Sequence, residues 1–186
     1  MKTRVVIIGG GAAGPKITAK LLRTKEFDCS IDLYKEEDMI SYSACGLPYY
    51  VEGLIESSEK LIVRKPEQFE QQGAHIHLQK KCIKILPQEH KVLVQDVKTQ
   101  QTEEIEYDKL AITTGARPII PSVKNIQLEN IFTVRKVQDG INIRNKMRAS
   151  ESKKAVIVGG GYIGIEMLEA FFLNGFEIYL IEKGSH

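Results

Sequence analysis

The sequence predicts an α/β chain made of two strand–helix–strand units with a three-stranded antiparallel meander between them. Three observations predict it. A glycine fingerprint of the form G-x-G-x-x-G occurs twice, as Gly9-Gly10-Gly11-Ala12-Ala13-Gly14 and as Gly159-Gly160-Gly161-Tyr162-Ile163-Gly164. Each copy follows an apolar, β-branched run, Val5-Val6-Ile7-Ile8 and Ala155-Val156-Ile157-Val158, as a strand buried on both faces of a parallel sheet requires. Between the copies lie three short β-patterned runs separated by polar turns. Both glycine-bearing units are therefore Rossmann-like.

The first strand is expected over 4–8 and the following helix over 12–23, with Ile17, Leu21 and Leu22 on its inner face. Pro15 is tolerable in a first turn whose N–H groups have no intrahelical partner. A strand over 30–34 completes the first βαβ unit. A short strand over 61–64, a helix opening over 66–72 and a strand over 75–78 come next. The meander covers 82–86, 91–97 and 103–107, with Thr99-Gln100-Gln101 at one tip. An apolar run over 110–113 stops at Gly115-Ala116-Arg117-Pro118, a sharp break. Residues 118–130 read as linker, a helix is expected over 137–148, and the second βαβ unit closes at Glu182. The implied division is 1–117, 118–150 and 151–186.

Composition excludes several function classes. A formal charge of +2 argues neither for nucleic acid nor for a membrane surface. With 42% hydrophobic and 27% charged residues, the chain is of ordinary globular make-up and not disordered. No apolar run reaches the roughly 20 residues of a membrane helix. Met1-Lys2-Thr3-Arg4 leads straight into a strand, so no leader peptide is expected. Cys29, Cys45 and Cys82 are too widely spaced for a disulfide framework or zinc site, and a reducing, cytoplasmic setting fits. His75 and His77 would share one strand face but have no third ligand, so no metal is expected.

The fingerprint has a mechanical meaning. Its first glycine makes the tight turn, its second lets backbone approach a pyrophosphate, and its third lets helix pack on strand. The helix start then offers unpaired N–H groups and the positive end of its dipole to phosphate. Two fingerprints imply two dinucleotides. In the second unit Glu182 follows the fingerprint by about 20 residues, where an acid hydrogen-bonds an adenosine ribose 2′-hydroxyl. A carboxylate repels a 2′-phosphate, so NADH is favoured, with NADPH as the alternative because Lys183 softens the preference.

Between the fingerprints lies Ser41-Tyr42-Ser43-Ala44-Cys45-Gly46-Leu47-Pro48-Tyr49-Tyr50. With Leu61-Ile62-Val63-Arg64, Pro66-Glu67-Gln68-Phe69, Tyr107-Asp108-Lys109-Leu110 and Thr114-Gly115-Ala116, it resembles the FAD-dependent pyridine nucleotide-disulfide oxidoreductases along the whole chain. Within them it resembles the single-cysteine branch of coenzyme A disulfide reductases, NADH oxidases and NADH peroxidases. The resemblance implies an FAD-binding domain over 1–117, a linker and connecting helix over 118–150, and the start of an NAD(P)-binding domain over 151–186. FAD would rest on Gly9, Gly11, Ala12, Ala13 and Gly14, with Glu36, Thr114 and Gly115. The nicotinamide nucleotide would rest on Gly159, Gly161, Tyr162, Ile163, Gly164, Glu166 and Glu182. Cys45 would cycle between thiolate and a mixed disulfide or sulfenate against an external partner: a small thiol, peroxide or oxygen. The alternative is that Cys45 is a small buried hydrophobe.

Single positions discriminate inside the branch. Ala12 stands where the oxidases and peroxidases typically carry histidine, which favours the coenzyme A disulfide reductases. Lys16, Lys20 and Arg23 fall at i, i+4 and i+7, on one helix face, as a cationic stripe for coenzyme A phosphates or as a solvated face. Ser41 and Ala44 join them as implied substrate contacts, although the disulfide reductases often have asparagine at the place of Ala44. Lys35 stands where the branch has a glutamate for the FAD ribose. Either Glu36 makes that contact through a local twist, or the contact is weakened, since a one-residue slip reverses the strand face. Tyr162 matches the family's gate over the flavin, or packs helix on sheet. Glu166 matches a position near the nicotinamide, or is a dipole-stabilising acid. Relatives of this kind are longer, adding the rest of the nucleotide domain, a second FAD segment and a dimerisation domain. The chain is therefore expected to be a piece of a homodimeric enzyme, with NADH oxidase or non-catalytic nucleotide binding as alternatives.

Overall fold

The structure, a computed structural model, describes residues 2–184; the outermost positions of the divisions drawn above lie outside them. In chain order the elements open with β1 (Thr3–Ile8), α1 (Ala13–Arg23), β2 (Cys29–Lys35), α2 (Leu47–Glu52), α3 (Pro66–Glu70) and β3 (Ala74–Leu78). They continue with β4 (Lys80–Leu86), β5 (Lys91–Asp96), β6 (Thr102–Glu106) and β7 (Lys109–Ile112). The last are α4 (Val137–Ala149), β8 (Lys154–Val158), α5 (Tyr162–Leu173) and β9 (Glu177–Ile181).

The chain divides into two compact units: Met1–Tyr42 with Ile62–Ala116, and Ser43–Leu61 with Arg117–His186. Ser43–Leu61, although it lies within the first half of the sequence, packs with the second unit. The Val51 side chain lies in one core with Ile143 of α4 and Met167 of α5.

In the first unit, β3, β2, β1 and β7 form a parallel sheet in that order, and β4, β5 and β6 form the antiparallel meander. The alternation along β1 decides the layering. Val5 and Ile7 face Ala19 of α1 and Phe69 of α3, together with Ile31 and Leu33 of β2. Val6 and Ile8 face the opposite way, against Tyr34 and the meander residues Val92 and Val94. A strand apolar on both faces is thus the middle layer of three. Ile17, Leu21 and Leu22 pack against the first core, as their spacing requires. On β2 and β3, His77 Nε2 and Asp32 Oδ1 lie 2.9 Å apart in a hydrogen bond, and the His77 ring stacks on Tyr34 at 4.3 Å.

The strand expected over 61–64 is not formed. A 3-10 turn spans Ser58–Leu61, and only an isolated bridge joins Tyr42 to Ile62. The N–H groups of Val63 (2.7 Å) and Arg64 (3.4 Å) both go to the Ser41 carbonyl. One residue later Lys65 donates its N–H to Gln68 Oε1 at 2.9 Å, and Pro66 opens α3. Helix capping takes the backbone that a longer strand would need.

In the second unit β8 and β9 pair in parallel through α5. One face of this sheet, with Ala155, Ile157 and Ile178, packs on Met167, Phe171 and Phe176. The other face, with Val156, Val158, Tyr179 and Ile181, is exposed. Among the described residues no helix is long and apolar enough to cross a membrane.

Two measurements test this packing. Leu33 is fully buried, whereas Ile83 is half-exposed. Leu33→Ala is expected to cost about 2–5 kcal/mol in urea unfolding and Ile83→Ala about 0.5 kcal/mol or less. At the meander tip, Asp96 Oδ1 accepts from the N–H groups of Thr99 and Lys98, both at 2.8 Å. Those bonds, that from Thr99 first, lower the Asp96 carboxyl to about 2. A depressed carboxyl stabilises the fold above its unfolded value of about 3.9 and loses that contribution as pH falls toward 2. Hydrogen exchange at Lys98 and Thr99 should therefore accelerate as pH is lowered from 4 to 2, relative to the intrinsic rate, and Asp96→Asn should remove that dependence.

Candidate functional site

The first glycine turn is built by close approaches. The Gly9 N–H donates to the Tyr34 carbonyl at 2.9 Å, tying the turn to the end of β2. Gly9 has φ +110°, which a side chain rarely adopts, and a Cβ there would overlap the Thr113 carbonyl. At Gly14 a Cβ would run into the Gly9 carbonyl, because α1 starts directly over the turn. Thr113 Oγ1 lies 2.9 Å from the carbonyls of both Ile8 and Gly9, and its hydroxyl donates to this pair. Gly11 differs. Nothing lies within 4 Å of its Cβ position, so this glycine opens onto space.

The second turn repeats the first. The Gly159 N–H donates to the Ile181 carbonyl at 2.8 Å, a Cβ at Gly164 would run into the Gly159 carbonyl, and Gly161 opens onto space. Both helices start without a side-chain cap and without an acid in the first turn. Their N-terminal N–H groups and dipole ends are thus left for an anion, and the open middle of each loop is a cradle that any side chain would fill. These residues fit a dinucleotide pyrophosphate in each unit.

The two cradles differ at their rims. Glu182 Oε2 accepts from the Gly160 N–H at 2.6 Å and Oε1 from the Gly184 N–H at 2.7 Å. These bonds, Gly160's first, hold its carboxyl below the usual glutamate range. In the first unit the corresponding residue is Lys35. Its Cδ and Cγ would lie 3.1 and 3.2 Å from a Cβ on Gly10, and its ammonium pairs with Glu37. Glu36 is placed elsewhere: its carboxylate meets Lys81 of β4 at 3.1 Å. The parity of β2 explains this. Ile31, Leu33 and Lys35 share the helix side, while Asp32, Tyr34 and Glu36 share the meander side.

Cys45 lies in a 3-10 turn, Ala44–Gly46, that runs into α2 with Pro48 in its first turn. Its thiol is free and exposed, so Cys45 is not a buried hydrophobe. Gly46 beneath it is buried, and a Cβ there would come within 2.7 Å of Leu61 Cδ2. Arg144 of α4 holds the far end of this segment. It is 4% exposed, donates to the carbonyls of Ile55 and Glu56, both at 3.0 Å, and lies over the Tyr50 ring at 4.5 Å.

The remaining expected residues sort by surroundings. Ser41 donates its N–H to the Gly10 carbonyl at 2.8 Å, which places it at the first loop. Lys16, Lys20 and Arg23 all stand exposed on α1, and Ala12, Ala13, Thr114 and Gly115 are exposed around the first turn. Tyr162 is 93% exposed at the start of α5, so it does not pack helix on sheet. Ile163 and Glu166 are exposed on the same helix. Thr113 and Arg144 were not legible as site-builders, because their contacts cross 105 and 89 residues of chain.

The two kinds of glycine should respond differently to a methyl group. Gly14→Ala is expected to cost about 2–4 kcal/mol in urea unfolding, because backbone must move. Gly11→Ala is expected to stay within about 0.5 kcal/mol of the parent while abolishing dinucleotide binding at the first loop, measured by equilibrium dialysis with FAD.

The family model described as pyridine nucleotide-disulphide oxidoreductase matches residues 3–186. The chain is 36% identical to the NAD(P)H coenzyme A polysulfide/persulfide reductase of Pyrococcus horikoshii, covering 100% of this chain and 40% of that protein. It is 33% identical to an NADH oxidase of Enterococcus faecalis, covering 96% of this chain and again 40% of the relative. Among solved structures, that of reduced Bacillus anthracis CoADR-RHD superposes with a TM-score of 0.92 at 33% identity, over 98% of this chain and 33% of that one. The chain thus spans about 40% of the length of the curated relatives it matches. A match along nearly every residue, together with two equivalent glycine cradles, establishes that the chain belongs to the pyridine nucleotide-disulphide oxidoreductase family.

Proposed function

We propose that this chain is the nucleotide-binding part of an FAD-dependent oxidoreductase that passes electrons from NAD(P)H to coenzyme A disulfide or a similar small disulfide through Cys45. The observation that carries this reading is the same dinucleotide cradle in two units, with a free, exposed cysteine on the segment that follows the first. FAD is assigned to Gly9, Gly11 and Gly14, and NADH to Gly159, Gly161, Gly164 and Glu182. The Glu182 carboxylate suits a free 2′-hydroxyl and disfavours the 2′-phosphate of NADPH. The full-length protein is proposed to act as a cytoplasmic homodimer.

The chemistry follows from these residues. The Cys45 thiolate attacks one sulfur of the disulfide, forms a mixed disulfide and expels the other half as a thiolate. FAD held at Gly9, Gly11 and Gly14 would supply the two electrons that cleave the mixed disulfide, having received them as hydride from a nicotinamide nucleotide held at Gly159, Gly161 and Gly164. Cys45 is then released as thiolate with the second small thiolate. Lys16, Lys20 and Arg23 offer cations to the phosphates of a coenzyme A moiety, and Ser41 and Ala44 are assigned as further contacts to it. Tyr162 gates the nicotinamide and Glu166 lies beside it. NADH oxidation by oxygen is the second reading, favoured by relatives that carry that name. Ala12, where a resembling oxidase has histidine, weighs for the disulfide.

An absorbance spectrum decides. The purified chain, reconstituted with FAD, should show a flavin band that bleaches on anaerobic addition of NADH, and Cys45→Ser should abolish any long-wavelength thiolate-to-flavin band. Turnover in the full-length protein should require coenzyme A disulfide. Turnover with air alone would support the oxidase, and the lack of a flavin band would overturn the enzymatic reading of this chain.

A further inference from the structure

The internal repeat lets one unit be read against the other. Tyr34 and Ile181 are matched positions, since each accepts the N–H of the first glycine of its loop, at 2.9 and 2.8 Å. The next residue is therefore matched too: Lys35 in the first unit and Glu182 in the second. Each covers the second residue of its loop, Gly10 or Gly160. Glu182 reaches Gly160 with its carboxylate, and Lys35 covers Gly10 with its methylenes. A carboxylate oxygen has two lone pairs, so Glu182 retains acceptor capacity for ribose hydroxyls after accepting from Gly160 and Gly184. An ammonium group has none.

Neighbouring acids do not restore an acceptor. Glu36 lies on the meander side with Lys81, and Glu37, past the end of β2, is drawn to the Lys35 ammonium. That ammonium also lies 5.8 Å from the centroid of the Tyr42 ring, and the Lys35 side chain is only 11% exposed. The lysine is thus packed into the rim and not free in solvent.

We propose that Lys35 sets the affinity of the first nucleotide site, by replacing the acceptor for the adenosine ribose with a neutralised cation. FAD is then held through its pyrophosphate at the glycine cradle and exchanges with free FAD, while the second site keeps the ribose contact through Glu182. This inference rests on the assignment of FAD to the first unit.

The test is FAD affinity of the reconstituted chain by equilibrium dialysis and flavin fluorescence, for the parent, Lys35→Glu and Lys35→Met. Lys35→Glu should bind FAD at least about tenfold more tightly and keep it through gel filtration, the gain expected of one hydrogen bond to a charged group. Lys35→Met should change affinity less than about threefold. Equal or weaker binding by a folded Lys35→Glu, against a parent that binds FAD, would overturn the inference and leave the FAD assignment standing. No FAD binding by any variant would remove that assignment and this inference with it. Should Lys35→Glu fail to fold, the reciprocal Glu182→Lys decides: NADH affinity should fall at least about tenfold, and an unchanged affinity would overturn the inference.

Discussion

In both units a helix begins directly above the end of the strand that precedes it. The whole arrangement depends on that closeness. A Cβ on Gly14 would enter the Gly9 carbonyl, and a Cβ on Gly164 would enter that of Gly159. Glycine at these places lets the helix axis come down onto the turn, and the turn then aims the helix start at the space above the middle glycines. With no side chain capping either helix, the unpaired N–H groups become the chemistry of the site. Binding capacity here comes from backbone brought into position by what is missing from it.

The second determinant is strand parity. Because side chains alternate, the step from Lys35 to Glu36 carries a charge from the helix layer to the meander layer of the first unit. Three consecutive charged residues, Lys35, Glu36 and Glu37, are thereby distributed between two faces, and the ion pairs with Lys81 and within the Lys35–Glu37 pair follow from it. The charge composition of the segment is acidic, yet the residue presented at the glycine loop is a cation. Composition and presentation disagree, and presentation is what a ligand meets.

Much of this was legible in the sequence. Runs such as Val5–Ile8 can only be strands covered on both faces, and the glycine spacing located both turns. Three things were not legible. The stretch around Ile62 has strand-forming residues, but Lys65 and Pro66 recruit its backbone into the cap of α3, a competition that propensity does not weigh. The membership of Ser43–Leu61 in the second unit depends on Arg144 reaching the Ile55 and Glu56 carbonyls and on Val51 entering a core with α4 and α5. Such contacts are set by tertiary packing and have no local signature. Thr113 belongs with them: a threonine at the end of a strand is unremarkable until its hydroxyl is found between two carbonyls of a turn more than a hundred residues earlier.

That hydroxyl has a consequence for assembly. The Gly9 turn is stapled by a residue synthesised more than a hundred residues after it, one that follows the entire meander. β7 pairs directly with β1, and its partner strand cannot be supplied locally. Closing so long a loop is entropically unfavourable and is deferred until nearer contacts have formed, which places the unit among slower, high-contact-order folds. The cradle is therefore completed late. A nascent chain that has made only the βαβ segment of β1, α1 and β2 has the fingerprint but not the rigid turn, which waits for β7 and Thr113.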